Sequence, residues 1–157
     1  MSGPSTSIST EFLMTLHAPL DPPQVVNSEL EIYNVAPGGW VKGPKIRGKI
    51  IAPAGDWFRT MPDGSFKLDV RMSIRADDES IIFVTYGGRM ALSEDAARRA
   101  ASGEALGSAD AHCMISLTFE TASKKYSWLN EVVAVGKMAS TKSGEGSYIT
   151  YDIFAVM

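Results

Sequence analysis

The chain has 157 residues, a net charge of −3, 45% hydrophobic and 21% charged residues. That describes one domain of ordinary size with enough apolar content to bury its own core. It excludes a disordered or collagen-like chain, and the small negative charge makes a nucleic-acid backbone a poor partner.

The opening MSGPSTSIST is polar and small. It lacks the charged start and apolar run of a signal peptide, and no stretch reaches the length of a membrane-spanning helix. Residues 1–9 read as a flexible tail on a single domain filling 1–157. The lone Cys113 cannot form an internal disulfide, which suits a reducing cytoplasm.

EFLMTLHAPLDPP starts as a strand and stops at Pro19, Pro22 and Pro23, which have no N–H for a ladder. ELEIYNVAPGGW reads as a second strand ending at Pro37-Gly38-Gly39, and GPKIRGKIIAP as a third, bracketed by Gly43 and Gly48. The three cations of PKIRGK read as an exposed face. MPDGS is a hairpin signal, because Asp63-Gly64 supplies the positive φ of a tight turn. In the next segment Phe66, Leu68, Val70, Met72 and Ile74 alternate with Lys67, Asp69, Arg71, Ser73 and Arg75. This strict period of two predicts a half-buried strand. ADDES then turns the chain into the apolar strand IIFVTYGG.

SEDAARRAASGEALG breaks the pattern. Ser93 fits an N-cap, Glu94 and Asp95 suit the positive helix end, and Gly103 can stop the helix. A helix over Glu94–Ser102 is expected outside the sheet, with Ala96, Ala97, Ala100 and Ala101 as its packing face. CMISLTFET, YSWLNEVVAVGKMAS and SYITYDIFAVM are three more strand-like runs. The whole predicts an all-β fold: an antiparallel barrel of about eight to ten strands with one short helix, since closure leaves fewer bare edges.

GPKIRGKI, GDW, DGSFKLDVRMSIRADD, YGG and FETASKKYSWLN together resemble the domain-of-unknown-function family 3237, also catalogued as uncharacterised protein family 0311. The resemblance runs from about the first strand to the C-terminus. It implies a single-domain, calycin-like β-barrel and no settled reaction.

Metal and nucleophile chemistry find little support. His17, His112 and Cys113 show no zinc-ligand spacing, and no calcium loop or cofactor motif appears, so neither a metal nor a cofactor is expected. No Gly-x-Ser-x-Gly elbow is present. Cys113 with a distant His17 is a conceivable nucleophile, but a lone cysteine is more often a small core residue. Gly38-Gly39 and Gly87-Gly88 lack the lysine and helix of a phosphate loop and read as bends.

Asp69 and Arg71 lie two apart on one strand and leave the same face. Read plainly, that face is wet. Read functionally, the barrel is hollow, Arg71 clamps an anionic group and Asp69 is a general base, making these two the catalytic candidates. Trp57 and Trp128 are too large to leave bare at strand ends. Treated as a strand, YSWLN puts Asn130 on the Trp128 face, pointing inward. Asp69, Arg71, Trp57 and Asn130 are therefore expected to converge on one concavity, with Tyr86, Glu120 and Trp128 as further ligand-binding candidates. Asp56 and Asp78 are expected at the rim, stabilising turns.

The function expected is binding of a small organic ligand, partly apolar or aromatic, with a polar or anionic group. The alternatives are a cofactor-free acid–base enzyme (isomerase, cyclase or lyase) and a filled barrel serving association. No nucleic-acid or membrane partner is expected. A cytoplasmic homodimer or larger homo-oligomer is.

Overall fold

The computed structural model describes residues 2–157. Its strands are β1 (Thr10–Pro19), β2 (Gln24–Val25), β3 (Leu30–Asn34), β4 (Trp40–Lys42), β5 (Arg47–Thr60), β6 (Phe66–Ala76), β7 (Ile81–Leu92), β8 (Leu106–Gly107), β9 (Ala111–Thr121), β10 (Val133–Lys142) and β11 (Tyr148–Val156). The order β5-β4-β1-β11-β10-β9-β7-β6 closes on itself, because β6 also pairs with β5. The expected antiparallel barrel is thus present, with β2, β3 and β8 in addition to the eight ring strands. No helix among the described residues is long and apolar enough to cross a membrane.

The alternation in β6 does what its period demands. Leu68, Val70, Met72, Ile74 and Ala76 are buried, while Lys67, Asp69, Arg71 and Arg75 are exposed. The turn before β6 is fixed by Asp63, which accepts the Ser65 N–H at 2.9 Å, and by Gly64 at φ 84°. The turn after it is held by Asp78, which accepts the Ser80 N–H at 3.0 Å.

Two segments depart from expectation. The third strand does not stop at Pro53. It runs on as β5 to Thr60, and a register shift against β6 between Ile51 and Ala54 absorbs the proline. Gly55-Asp56-Trp57 therefore lies within a strand, not at its end. β4 pairs with the first part of β5 and β3 with the last part, so the two short strands share one side of a long one.

The second departure is YSWLN. Ser127–Glu131 is a 3-10 turn, and the strand starts only at Val133. With three residues per turn, Leu129 is fully buried at 0% exposure, Trp128 packs partly buried against the core, and Asn130 lies on the surface. This turn plugs one end of the barrel. Tyr126 is buried beside it, with its hydroxyl donating to Asp77, and the Ser123 hydroxyl donates to Asp78 at 2.6 Å.

The helix α1 (Glu94–Ala101) forms as expected outside the ring, capped by Ser93, which accepts the Ala96 N–H at 3.1 Å. Of its alanines only Ala96 is buried. The helix is tied down by Arg99, which bridges Asp110 at 2.8 Å and Glu104 at 3.1 Å.

The core occupies the plugged end. Met72, Ile74, Ile82 and Leu129 are fully buried there, and Leu16, Leu117 and Met138 are fully buried beside Tyr151 and Tyr86. The opposite end, walled by β1, β3, β5, β6, β7 and the β10–β11 hairpin, is not filled.

Candidate functional site

A cavity of about 530 Å³ occupies the open end. Strand β5 contributes Asp56 and Phe58, β3 Tyr33, β6 Leu68 and Val70, β7 Tyr86 and Met90, and β11 Ile149 and Tyr151. The mouth lies between Pro22-Pro23 and the hairpin residues Thr141 to Ser147. The walls are mainly apolar, with few polar groups, which is the usual make-up of a small-molecule site.

Those polar groups follow from register. Tyr33 lies opposite Asp56, Asp56 opposite Val70, and Val70 opposite Tyr86. Residues opposite one another share a face, so Tyr33, Asp56 and Tyr86 lie in one row across the inner wall. Between Asp56/Val70 and Arg59/Lys67 the β5–β6 ladder is interrupted. There the Asp56 carboxylate replaces a main-chain acceptor and takes the Asp69 N–H at 2.9 Å.

Burial is the chief influence on Asp56. Withdrawal from water pushes its carboxyl up to about 6. The nearby Asp69 charge adds to that rise and the Asp69 N–H opposes it. Tyr33 donates its hydroxyl to Glu31 Oε2 at 3.0 Å, and burial followed by the Glu31 carboxylate holds the phenol well above its usual range. Tyr86 and Tyr151 are raised too, by burial first, and their rings meet edge to face at 5.9 Å. The site thus holds one carboxyl able to exchange a proton near neutral pH, surrounded by phenols that keep theirs.

Cys113 is buried, its Sγ 3.9 Å from the Tyr151 hydroxyl, and burial pushes its thiol up to about 11. A thiol held protonated is a poor nucleophile. His17 does not approach it. His17 bonds Thr150 on the outer face at 2.8 Å, with its ring against Trp40 and Tyr148. Among the described residues no group of three or more His, Cys, Asp or Glu side chains is placed to hold a metal ion.

The four residues expected to converge do not. Asp69 and Arg71 are exposed on the outer face of β6, because the inner positions go to Leu68, Val70 and Met72. Trp57 is 39% exposed on the outer face of β5. Asn130 sits on the surface and clamps the main chain of Thr121, accepting its N–H at 2.8 Å and donating to its carbonyl at 3.0 Å. Glu120 is exposed on β9. Trp128 lines a separate hollow of about 330 Å³ at the plugged end, with Lys45 Nζ 5.9 Å from its ring centroid. Of the seven candidates only Tyr86 lines the open-end cavity. Asp78 does hold a turn, but Asp56 belongs to the cavity rather than the rim. Sequence reasoning assigns Asp56 to the rim and passes over Tyr33 and Tyr151. The legible signal for Asp56 was the spacing Asp56-x-Phe58 against Trp57-x-Arg59, which reads as an inner and an outer face once the strand runs past Pro53.

Comparison with known proteins agrees with this architecture. The family described as a protein of unknown function, DUF3237, matches residues 8–156. A UPF0311 protein of Clostridium acetobutylicum is 31% identical over 91 residues; the match spans 58% of this chain and 58% of that relative's length. Among solved structures, a conserved protein of unknown function from Rhodopseudomonas palustris superposes with a TM-score of 0.84 at 20% identity, covering 98% of this chain and 100% of that one. A β-barrel-like protein from Acinetobacter baumannii gives 0.75 at 25% identity over 99% and 100% of the two chains. An enzyme from Penicillium herquei gives 0.70 at 19% identity over the full length of both. These structural likenesses establish the fold. The family match is nearly as long as the chain, and the chain belongs to DUF3237.

Proposed function

We propose that this DUF3237 barrel binds a small, largely apolar molecule in its open end and moves a proton on it through Asp56. The reaction class is acid–base rearrangement of the isomerase, cyclase or lyase kind, for which one well-placed carboxyl is sufficient. The supporting observation is a carboxyl raised to about 6 on the wall of a cavity of about 530 Å³. Above that pH the Asp56 carboxylate takes a proton from an acidic C–H or O–H bond of the ligand, and the bonding electrons stay on the ligand. The same carboxyl returns the proton to a different ligand atom. Leu68, Val70 and Met90 line the cavity and keep bulk water from competing for that proton. The reading places the protein in a reducing cytoplasm, on the strength of its single, buried Cys113.

The test is native mass spectrometry of the purified protein to identify a retained molecule, followed by incubation of that molecule in deuterated water. The wild type is expected to convert or deuterate it, and Asp56→Asn to do so at least ~100-fold more slowly, the range of a lost general base. An Asn variant as fast as the wild type overturns the assignment.

A further inference from the structure

We infer that Tyr33 and Asp56, with Glu31 holding the Tyr33 proton, form a pair of hydrogen-bond acceptors that selects a ligand with an O–H or N–H donor at its deep end and turns an anionic end away. This rests on the reading of the cavity as a ligand site and adds the class of ligand.

The array follows from register. On β3, Glu31 and Tyr33 are two residues apart and share a face, Glu31 opposite Phe58 and Tyr33 opposite Asp56. The one proton of the Tyr33 hydroxyl is committed to Glu31 at 3.0 Å. A phenol that donates elsewhere offers only lone pairs, so Tyr33 meets a ligand as an acceptor. Asp56 uses one oxygen for the Asp69 N–H, and an ionised carboxylate can only accept. Two neighbouring acceptors at one end of an apolar cavity call for a donor between them.

Charge points the same way. Of the lining residues only Lys142 is cationic. It lies on the mouth hairpin, and its Nζ already donates to the Glu145 carbonyl. Arg59 and Arg71 flank the same stretches of β5 and β6 but are exposed on the outer face. A carboxylate or phosphate pushed to the depth of Asp56 would sit beside one carboxylate, with Glu31 behind Tyr33, and no cation to offset them. An ammonium group meets the opposite situation. Phe58, stacked on Phe66 at 5.0 Å and edge-on to Tyr33 at 5.7 Å, adds an aromatic wall that a cation tolerates and an anion does not. The anionic end group expected from Arg71 has no counterpart inside the barrel.

The experiment uses the full chain and four probes with one naphthalene body: 2-naphthol, 2-(aminomethyl)naphthalene, 2-methoxynaphthalene and naphthalene-2-carboxylate. Dissociation constants are measured by titration calorimetry near neutral pH. A donor probe is expected to bind at least about tenfold tighter than the methyl ether, with the carboxylate weakest, because the ether leaves a buried acceptor unpaired. Whether naphthol or the amine binds tighter identifies the donor as hydroxyl or ammonium. Tyr33→Phe and Glu31→Ala, each checked for folding by circular dichroism, should each lower the donor preference by about fivefold, the share of one hydrogen bond, with Asp56 keeping the rest. The inference fails if the carboxylate binds as well as the donors, or if both variants keep the full preference. In those cases binding of the methyl ether still supports the cavity reading. If none of the four probes binds the wild type, the cavity reading falls and this inference with it.

Discussion

Asp56 owes its altered chemistry to being a carboxylate in a strand position that would normally hold an apolar residue. Its inner-face neighbours along the register are Tyr33 and Val70. In the unfolded chain such a group titrates near 3.8, and in the fold near about 6. Below the lower value both states are protonated, and burial costs nothing electrostatically. Between the two values the unfolded chain releases the proton while the folded one keeps it, so stability falls, and by about pH 6 the loss reaches about 2–3 kcal/mol. Asp56→Asn keeps an oxygen for the Asp69 N–H and removes that cost. The variant is therefore expected to melt higher than the parent at about pH 8, with the difference shrinking to nothing towards about pH 4. Thermal melts across that range check it, and equal melting temperatures at both ends would mean that Asp56 is well hydrated. A carboxyl that destabilises its own fold is what the proposed proton-transfer role would entail. It was not legible as such in the sequence, where Asp56 reads as one more acidic residue near a turn. Its role depends on which way the strand faces, and that is set by the bulge at Pro53.

At the scale of elements, what could be read depended on how local the determining signal was. The β6 strand, both turns around it and the α1 helix announce themselves within a dozen residues, by alternation, by Asp-Gly and by a serine cap. YSWLN did not. Its apolar and polar residues fit a strand equally well, and what decides for a 3-10 turn is distant: the plug that Leu129 must make in the barrel end, and the Thr121 main chain that Asn130 pairs with. Asn130 was singled out for its chemistry and turns out to terminate β9. Asn130→Ala should lose both bonds and cost about 1–2 kcal/mol, since each net hydrogen bond is worth roughly 0.5–1.5 kcal/mol. Chemical denaturation would show the loss, with unchanged probe binding at the far end of the barrel. A loss of binding on that substitution would mean that the two ends are coupled.

The whole molecule is a barrel filled at one end and hollow at the other, and the proposed ligand site lies in the hollow end. Small barrels are normally filled by their inward side chains. Here the same strands fill the plugged end with Met72, Ile74 and Ile82 and leave a cavity where they carry Leu68, Val70, Tyr86 and Met90. Composition and alternation predicted the closed barrel but could not tell hollow from filled, because that depends on how side chains from eight non-adjacent segments share one volume. The division predicts opposite outcomes for two substitutions on one strand. Ile74 is fully buried in the filled end. Ile74→Ala should cost about 2–5 kcal/mol, the range for a core truncation, while the folded protein still binds a naphthalene probe. Val70 lies between Asp56 and Tyr86 on the cavity wall. Val70→Phe places its larger ring in space that is already empty, so it should leave the melting temperature unchanged or raise it while abolishing probe binding. Equilibrium unfolding and the same calorimetric titration measure both. If Val70→Phe unfolds the protein as Ile74→Ala does, the open end is packed rather than hollow, and the barrel has no room for a ligand.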